Sequence, residues 1–421
     1  MVKVHIETYG CTMNQADSDI MRGIISQSHE LAGAEDADIV VLNTCGVIDY
    51  TERKILRRIK ELNCNKTVIV AGCLPKISRK KIEEVSDIFI GTNVYDIGKA
   101  IECAERGESF SLVNKADADK AGLCNLKRRL KNNAIAIVSI SEGCLGHCTF
   151  CATRRARGRL KSFTIENIVK EVEEAVGEGF KEIQLTSQDT GAYGLDQGQY
   201  DLPDLLDAIN EIEGDFRVRV GMMNPQHALN SIEELTNAFK SDKIYKFIHI
   251  PVQSGDNKIL EDMGRDHSAE DFKQVVSHFR KSFKDIFIST DIIAGFPTED
   301  EGSFQKSYDL IKEVEPQIVN ITRYSPRHAT AAYKMKGIPD WIKKERSRKL
   351  TRLCRQISYS TNRRFLGSDQ KVLATRNGKN GTILSRTDSY RPVILQEGEP
   401  GRFYHVKVVD YAQNYLAGEI I

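Results

Sequence analysis

Two sets of three cysteines carry the chemistry that this sequence can do. Cys144-Leu-Gly-His-Cys148-Thr-Phe-Cys151 places three thiolates at CxxxCxxC spacing. That spacing suits three irons of a [4Fe–4S] cluster and leaves the fourth iron open to a small ligand. Zinc is the alternative, but structural zinc sites pair one C-x₂₋₄-C with a second, distant ligand pair. His147 lies inside the loop, awkwardly placed between two cysteines. The second set is dispersed: Cys11, Cys45 and Cys73 are 34 and 28 residues apart, and each follows a short β-like run. In a parallel sheet the C-terminal strand ends share one edge, where open α/β folds bind their ligands. Gly10, Gly46 and Gly72 beside these cysteines let the backbone pass close to a bulky inorganic group. A packing role for small buried cysteines is the competing reading; three on successive turns favour a second three-thiolate cluster. Cys64, Cys103, Cys124 and Cys354 read as bystanders, the last in an apolar helical stripe with Leu350, Leu353 and Ile357.

The elements that must position these residues fall into three series. Apolar runs at 2–8, 38–43, 67–71 and 87–90 alternate with helical patterns near 15–30, 51–63, 76–85 and 94–106. This rhythm predicts βαβ units and an open parallel α/β sheet over 1–108. Residues 109–133 break the rhythm and read as a linker. A second series has strands at 134–141, 182–187, 216–221, 246–251, 286–293 and 317–323. Helical patterns follow them near 164–179, 202–212, 231–240, 268–283, 300–314 and 340–365. Six β/α units over 134–358 predict a partial (β/α)₆ barrel with its site at the C-terminal strand ends. Over 359–421, five short β runs punctuated by glycines predict a small antiparallel β-barrel, an architecture common among oligonucleotide-binding modules. The chain is thus read as α/β and multidomain.

Composition excludes several classes. The chain has 421 residues, 40% hydrophobic and 28% charged, which rules out disorder and collagen-like structure. Ten cysteines are too few for a disulfide scaffold of this length. No stretch of about 18 apolar residues spans a membrane, and the first residues lack a signal-peptide pattern, so a cytoplasmic protein is expected. The net charge of +1 conceals a segregation. Residues 127–161 hold Lys127, Arg128, Arg129, Lys131, Arg154, Arg155, Arg157, Arg159 and Lys161 against Glu142. Residues 341–364 hold nine basic side chains against Glu345, so each stretch is +8 and the remainder is −15. Such basic clusters on an acidic body are the footprint of a polyanion partner; solvated helix faces are the bland alternative.

The whole chain resembles the radical S-adenosylmethionine (SAM) methylthiotransferase family. The resemblance rests on Tyr9-Gly-Cys11-Thr-Met-Asn14, Asn43-Thr-Cys45, Gly72-Cys73-Leu-Pro75 and Gly143-Cys144 with its two following cysteines. Arg157-Gly158, Ser162, Thr186-Ser-Gln188-Asp189 and Pro251-Val-Gln253-Ser-Gly255 fit further family motifs. Ile6-Glu-Thr-Tyr-Gly-Cys11-Thr-Met-Asn-Gln-Ala-Asp17 is most similar to the archaeal and eukaryotic branch. That branch converts N6-threonylcarbamoyladenosine at position 37 of transfer RNA to its 2-methylthio derivative.

The resemblance implies a radical SAM barrel, a C-terminal TRAM module and two [4Fe–4S] clusters. Cys144, Cys148 and Cys151 would hold the cluster that binds and reduces SAM. Cys11, Cys45 and Cys73 would hold an auxiliary cluster that presents the sulfur. Gln188, Asp189 and Gln253 are the expected SAM contacts, with a strand-end cap as the alternative for Gln188 and Asp189. The partners implied are SAM, an electron donor of unspecified identity and the anticodon stem-loop of tRNA. Arg154, Arg155, Arg157 and Arg159 beside the cysteine loop are expected to meet RNA phosphates. Arg348, Arg352 and Arg355, on one face of the last helix, are expected to do the same. Tyr390, Phe403, Tyr404, Tyr411 and Tyr415 are candidates for stacking on unpaired bases, although alternation along the strands makes some of them core residues instead. Two other functions compete: methylthiolation of a ribosomal-protein aspartate, and non-catalytic RNA binding around structural metal sites.

Overall fold

The computed structural model describes residues 1–46, 49–113, 120, 134–328 and 330–421, the side chains at 49 and 50 excepted. Lys127, Arg128, Arg129, Lys131 and Cys124 lie outside the described residues. The first unit is a parallel sheet of β1 (Lys3–Thr8), β2 (Glu30–Leu31), β3 (Ile39–Thr44), β4 (Thr67–Gly72), β5 (Ile88–Ile90) and β6 (Phe110–Leu112). Its order is β2-β1-β3-β4-β5-β6. β3 is buried along its whole length, as a central parallel strand covered on both faces must be.

Two edge strands were not legible in the pattern. The helix expected to reach residue 30 ends at Ile25, before the polar Ser26-Gln27-Ser28, and β2 follows it. β6 lies inside the stretch read as a linker from residue 109, and it pairs with β5. Strands of two and three residues are too short to show a period.

Six further parallel strands form the centre: β7 (Ile135–Ser139), β10 (Glu182–Thr186), β11 (Arg217–Arg219), β12 (Phe247–His249), β13 (Phe287–Ala294) and β14 (Ile318–Arg323). They make two hydrogen-bonded trios, β11-β10-β7 and β12-β13-β14. Isolated parallel bridges at Val218–Ile244 and Met222–His249 join the trios. The result is the expected open six-strand barrel. Its apolar core lies between strands and helices, for example Val138, Leu185 and Val220 against Ile168, Leu205 and Phe239. A two-stranded clasp, β8 (Ser141–Glu142) with β9 (Lys161–Ser162), closes the neck of the cysteine loop.

The C-terminal strands β15 (Asp369–Asn377), β16 (Ile383–Thr387), β17 (Pro392–Leu395), β18 (Phe403–Tyr411) and β19 (Leu416–Ile420) close a barrel in the order β15-β16-β17-β19-β18. It was expected to be antiparallel throughout, yet β17 and β19 pair in parallel. Counting explains this. Strands that alternate in direction around a closed ring of odd number must leave one parallel pair. The boundary expected at 358/359 falls inside the 24-residue helix Asp340–Arg363, which runs from the central barrel into the C-terminal one.

The C-terminal barrel caps the N-terminal ends of the central strands. The Ala134 N–H donates to the Thr375 carbonyl and the Lys246 N–H to that of Asp388, both at 2.8 Å. Tyr390, one of the five candidates for stacking, proves to be one of the core residues and plugs this junction. It is buried, with ring centroids 4.8 Å from Tyr245 and 4.9 Å from Phe247, and its hydroxyl donates to Glu182 at 3.1 Å. Phe403 lies under the Arg217 guanidinium. Tyr404 and Tyr411 pack on the C-terminal core, so of the five aromatics only Tyr415 is largely exposed. Tyr390→Ala is expected to weaken the junction by about 3–5 kcal/mol. The check is proteolytic release of the C-terminal barrel at lower urea than in the parent chain; identical urea dependence would show that the ring does not hold it.

Candidate iron–sulfur site

Cys11, Cys45 and Cys73 stand at one edge of the first sheet, immediately after β1, β3 and β4. Cys11 is the N-cap of helix Thr12–Ile25, and Cys73 opens helix Cys73–Ile77. Amides and hydroxyls lock these strand ends together. Asn14 Nδ2 donates to Asn43 Oδ1 and to the Thr44 carbonyl at 3.0 and 3.1 Å. Asn43 Nδ2 returns a bond to the Asn14 carbonyl at 2.7 Å, and the Thr44 hydroxyl donates to the Ala71 carbonyl at 2.6 Å. Gly10 has φ +138°, and a Cβ there would meet the Cys45 Cβ at 2.9 Å. Only glycine lets these two turns approach so closely. Burial pushes the Cys73 thiol up to about 11, with the charge of Arg157 opposing it; a metal ligand replaces that proton.

The second set sits in the loop between β8 and β9. Gly143 has φ +85°, and a Cβ there would fall 2.0 Å from the Arg159 carbonyl, so the loop pinches shut only on a glycine. Each sulfur accepts one N–H. The Gly146 backbone donates to Cys144 at 3.3 Å, the Thr153 backbone to Cys151 at 3.4 Å, and Arg265 Nη1 to Cys148 at 3.4 Å. The three cysteines line a cavity of about 230 Å³ with Thr149 and Arg154. His147 is exposed and faces Asp266 at 3.7 Å. Among the described residues, no three His, Cys, Asp or Glu side chains close around a single metal ion. An all-sulfur donor set with one N–H per sulfur, beside a cavity, fits a cluster.

The two sets belong to facing edges. Cys73 and Ile77 share a buried apolar contact with Ala152, the N-cap of the short helix Thr153–Arg157, and Ala156 within it. The Thr12 and Thr186 hydroxyls meet at 2.7 Å. Between them lies a buried ion cluster. Arg157 pairs with Asp17 at 2.8 Å and Glu142 at 2.9 Å, and Lys120 pairs with the same two carboxylates at 2.9 Å. A second buried tie joins Arg327 to Glu52 at 2.7 Å.

These placements revise several expectations. Arg157, expected to meet RNA, is 2% exposed and occupied by Asp17 and Glu142. Arg155 and Arg159 are exposed and Arg154 is half-buried. Arg348, Arg352 and Arg355 are all exposed, opposite buried Leu350, Leu353 and Ile357. Gln188 accepts the Gly143 N–H at 2.6 Å and so steadies the cysteine loop. Asp189 is 1% exposed, and its oxygens are taken by Asn224 and His227. These bonds make it an internal brace, in line with the strand-end alternative. Gln253 lies four residues beyond β12, in an isolated bridge with Ile292, and has φ +70°, a strained backbone for a residue that is not glycine. Asp17, Lys120, Asn224 and Arg265 were missed. Only Asp17 had a signal, being three residues beyond Asn14 and so on the same helix face.

Comparison with known proteins shows which family the chain belongs to. Residues 138–311 match the model of the radical SAM superfamily, 363–421 that of the TRAM domain, and 3–91 that described as Uncharacterized protein family UPF0004. The chain is 57% identical over 420 residues to a protein of Archaeoglobus fulgidus named probable threonylcarbamoyladenosine tRNA methylthiotransferase, covering 100% of this chain and 99% of that one. The chain belongs to the threonylcarbamoyladenosine tRNA methylthiotransferase family. A Pyrococcus horikoshii protein of the same name is 48% identical, with both chains covered in full. The threonylcarbamoyladenosine tRNA methylthiotransferase of Drosophila melanogaster is 35% identical over all of this chain and 78% of its own length. Among solved structures, the fold is similar to that of the radical SAM methyltransferase TsrM from Kitasatospora setae. The TM-score is 0.60 at 12% identity, over 79% of this chain and 77% of that one. No helix among the described residues is long and apolar enough to cross a membrane.

The ion cluster yields a pH prediction. Burial pushes the Asp17 carboxyl up, but the charges of Arg157 and Lys120 outweigh it and hold it below the ordinary carboxylate value. Its contribution to stability is therefore present above pH ~3.9 and drains as the pH falls through the lower folded value. Asp17→Asn is expected to cost about 3–5 kcal/mol at neutral pH and to flatten the fall in stability below pH ~3.9. Denaturant titration across pH checks this; an unchanged acid slope would contradict it.

Proposed function

We propose that the protein converts N6-threonylcarbamoyladenosine at position 37 of tRNA to its 2-methylthio derivative, using two [4Fe–4S] clusters and SAM. The observation that carries this reading is the meeting of two three-cysteine sets at facing edges of the sheet and the barrel. Cys144, Cys148 and Cys151 hold the SAM-binding cluster, and Cys11, Cys45 and Cys73 hold the auxiliary one. When bound, these groups supply what acid/base side chains cannot at an unactivated adenine C2–H: a 5′-deoxyadenosyl radical and a methylthio sulfur.

The chain's own part is to hold and to exclude. The Asp17–Arg157–Glu142–Lys120 cluster fixes one cysteine edge against the other. Gln188, bonded to the neck of the cysteine loop, and Gln253, in the segment after β12, orient SAM. Reduction requires a one-electron donor from outside the chain.

The architecture supports one path for the RNA. The TRAM barrel caps the N-terminal ends of the central strands, whereas the cysteines lie at the C-terminal ends. An RNA touching both runs along the open side of the barrel, past β14 and helix Asp340–Arg363. Arg348, Arg352 and Arg355 meet its phosphates there, and Arg154, Arg155 and Arg159 meet the loop that carries the target base.

Two measurements test this. Anaerobic reconstitution should load about eight irons per chain, falling to about four in Cys11→Ala/Cys45→Ala/Cys73→Ala; about four in the parent would remove the auxiliary cluster. Replacing Arg348, Arg352 and Arg355 by alanine should lower the slope of log affinity for tRNA against log salt by about two to three. An unchanged slope would remove this face from the RNA path.

A further inference from the structure

Cys144 and Cys151 take their hydrogen bonds from backbone N–H groups, whereas Cys148 takes its bond from the Arg265 guanidinium. Arg265 lies just beyond helix Asn257–Asp262. The end of that helix is tied to the cysteine loop: the Thr149 N–H donates to the Met263 carbonyl and the Thr149 hydroxyl to that of Asp262, each at 2.8 Å.

The guanidinium is held from behind. Nη2 donates to the Pro251 carbonyl at 3.2 Å and to Asn224 Oδ1. Asn224 cannot present its other face. Its Nδ2 donates to Asp189 Oδ2 at 2.5 Å and its backbone N–H to Oδ1 at 3.1 Å, and a carboxylate only accepts. His227 Nδ1 donates to the same Oδ2 at 2.7 Å. A continuous chain therefore runs Asp189–Asn224–Arg265–Cys148. Arg265 Nε is buried without a partner among the described residues, a cost that packing alone gives no reason to bear.

We propose that Arg265 is a positioning residue that fixes Cys148 and raises the reduction potential of the cluster at Cys144, Cys148 and Cys151, with Asn224 and Asp189 holding it on target. The proposal rests on the cluster reading above. A hydrogen bond from a permanent cation draws charge from a ligating sulfur and favours the more negative, reduced cluster. The other two donors are neutral amides, so Arg265 supplies the charged hydrogen bond among the three that these sulfurs accept. Arginine suits the position because its planar fork serves sulfur, carbonyl and amide together, whereas lysine supplies charge without fixed directions.

The test is an EPR-monitored redox titration of the full chain in a Cys11→Ala/Cys45→Ala/Cys73→Ala background, with iron counted in the same samples. Arg265→Met should retain about four irons and titrate at a more negative potential than the background. Arg265→Lys should fall between the two. Asn224→Ala should shift in the same direction as Arg265→Met, by less. An Arg265→Met potential equal to that of the iron-loaded background overturns the proposal. If Arg265→Met does not hold iron, Asn224→Ala decides, and an unshifted potential there overturns it. A background that takes up no iron overturns the cluster reading itself.

Discussion

Four buried charges determine how the two halves of the site meet. Asp17 comes from the first helix, Glu142 from the neck of the cysteine loop, Arg157 from the short helix within that loop, and Lys120 from the stretch of sequence between the two domains. Two acids and two bases cancel, and each charge has a partner on each side. Such a cluster contributes little net stability, because desolvation offsets its Coulomb gain. Its contribution is registry. A slipped interface would bury a charge without a partner, at a cost of about 3–5 kcal/mol. The adjoining contacts are weak by comparison: a pair of hydroxyls, Thr12 with Thr186, and a small apolar patch around Cys73 and Ala152. The edge that carries Cys11 and the segment after Cys151 are held together because Asp17 and Arg157, in their respective domains, are locked to each other.

The same economy appears at the other end of the barrel. Six strands do not close a ring, and β14 leaves Asn320 and Thr322 exposed. This opening is where a polymer can pass along the molecule. The C-terminal barrel does not cover the opening; it seals the N-terminal end through Tyr390 and directs access to the side and the top. On the proposed reading, a nucleoside inside an RNA loop is presented laterally while its flanking phosphates lie on the exposed basic face of helix Asp340–Arg363.

The strand ends were legible because two signals coincide there: an apolar run stops and a cysteine or glycine begins. That coincidence located Cys11, Cys45 and Cys73 before any fold was known, and the six-strand centre followed from its alternation. Residues whose partners are remote in sequence were not legible. Arg157 reads as part of an exposed basic run because Asp17 lies 140 residues away. Tyr390 reads as a surface aromatic because its partners Tyr245 and Phe247 belong to another domain. Asp189 reads as a cofactor ligand because Asn224 and His227 come from a different β/α unit. The parallel β17–β19 pair could have been deduced by counting strands, whereas β2 and β6 could not.

The central claim is that both cysteine sets are needed for one reaction on tRNA, each with its own part. The most direct measurement is mass spectrometry of nucleosides and SAM products after anaerobic incubation of the reconstituted protein with SAM, a reductant and tRNA bearing threonylcarbamoyladenosine. The parent chain should form the 2-methylthio nucleoside and 5′-deoxyadenosine. Cys73→Ala should still form 5′-deoxyadenosine but no methylthio product. A Cys73→Ala variant that makes the modified nucleoside, or a parent loaded with both clusters that does not, would contradict the account.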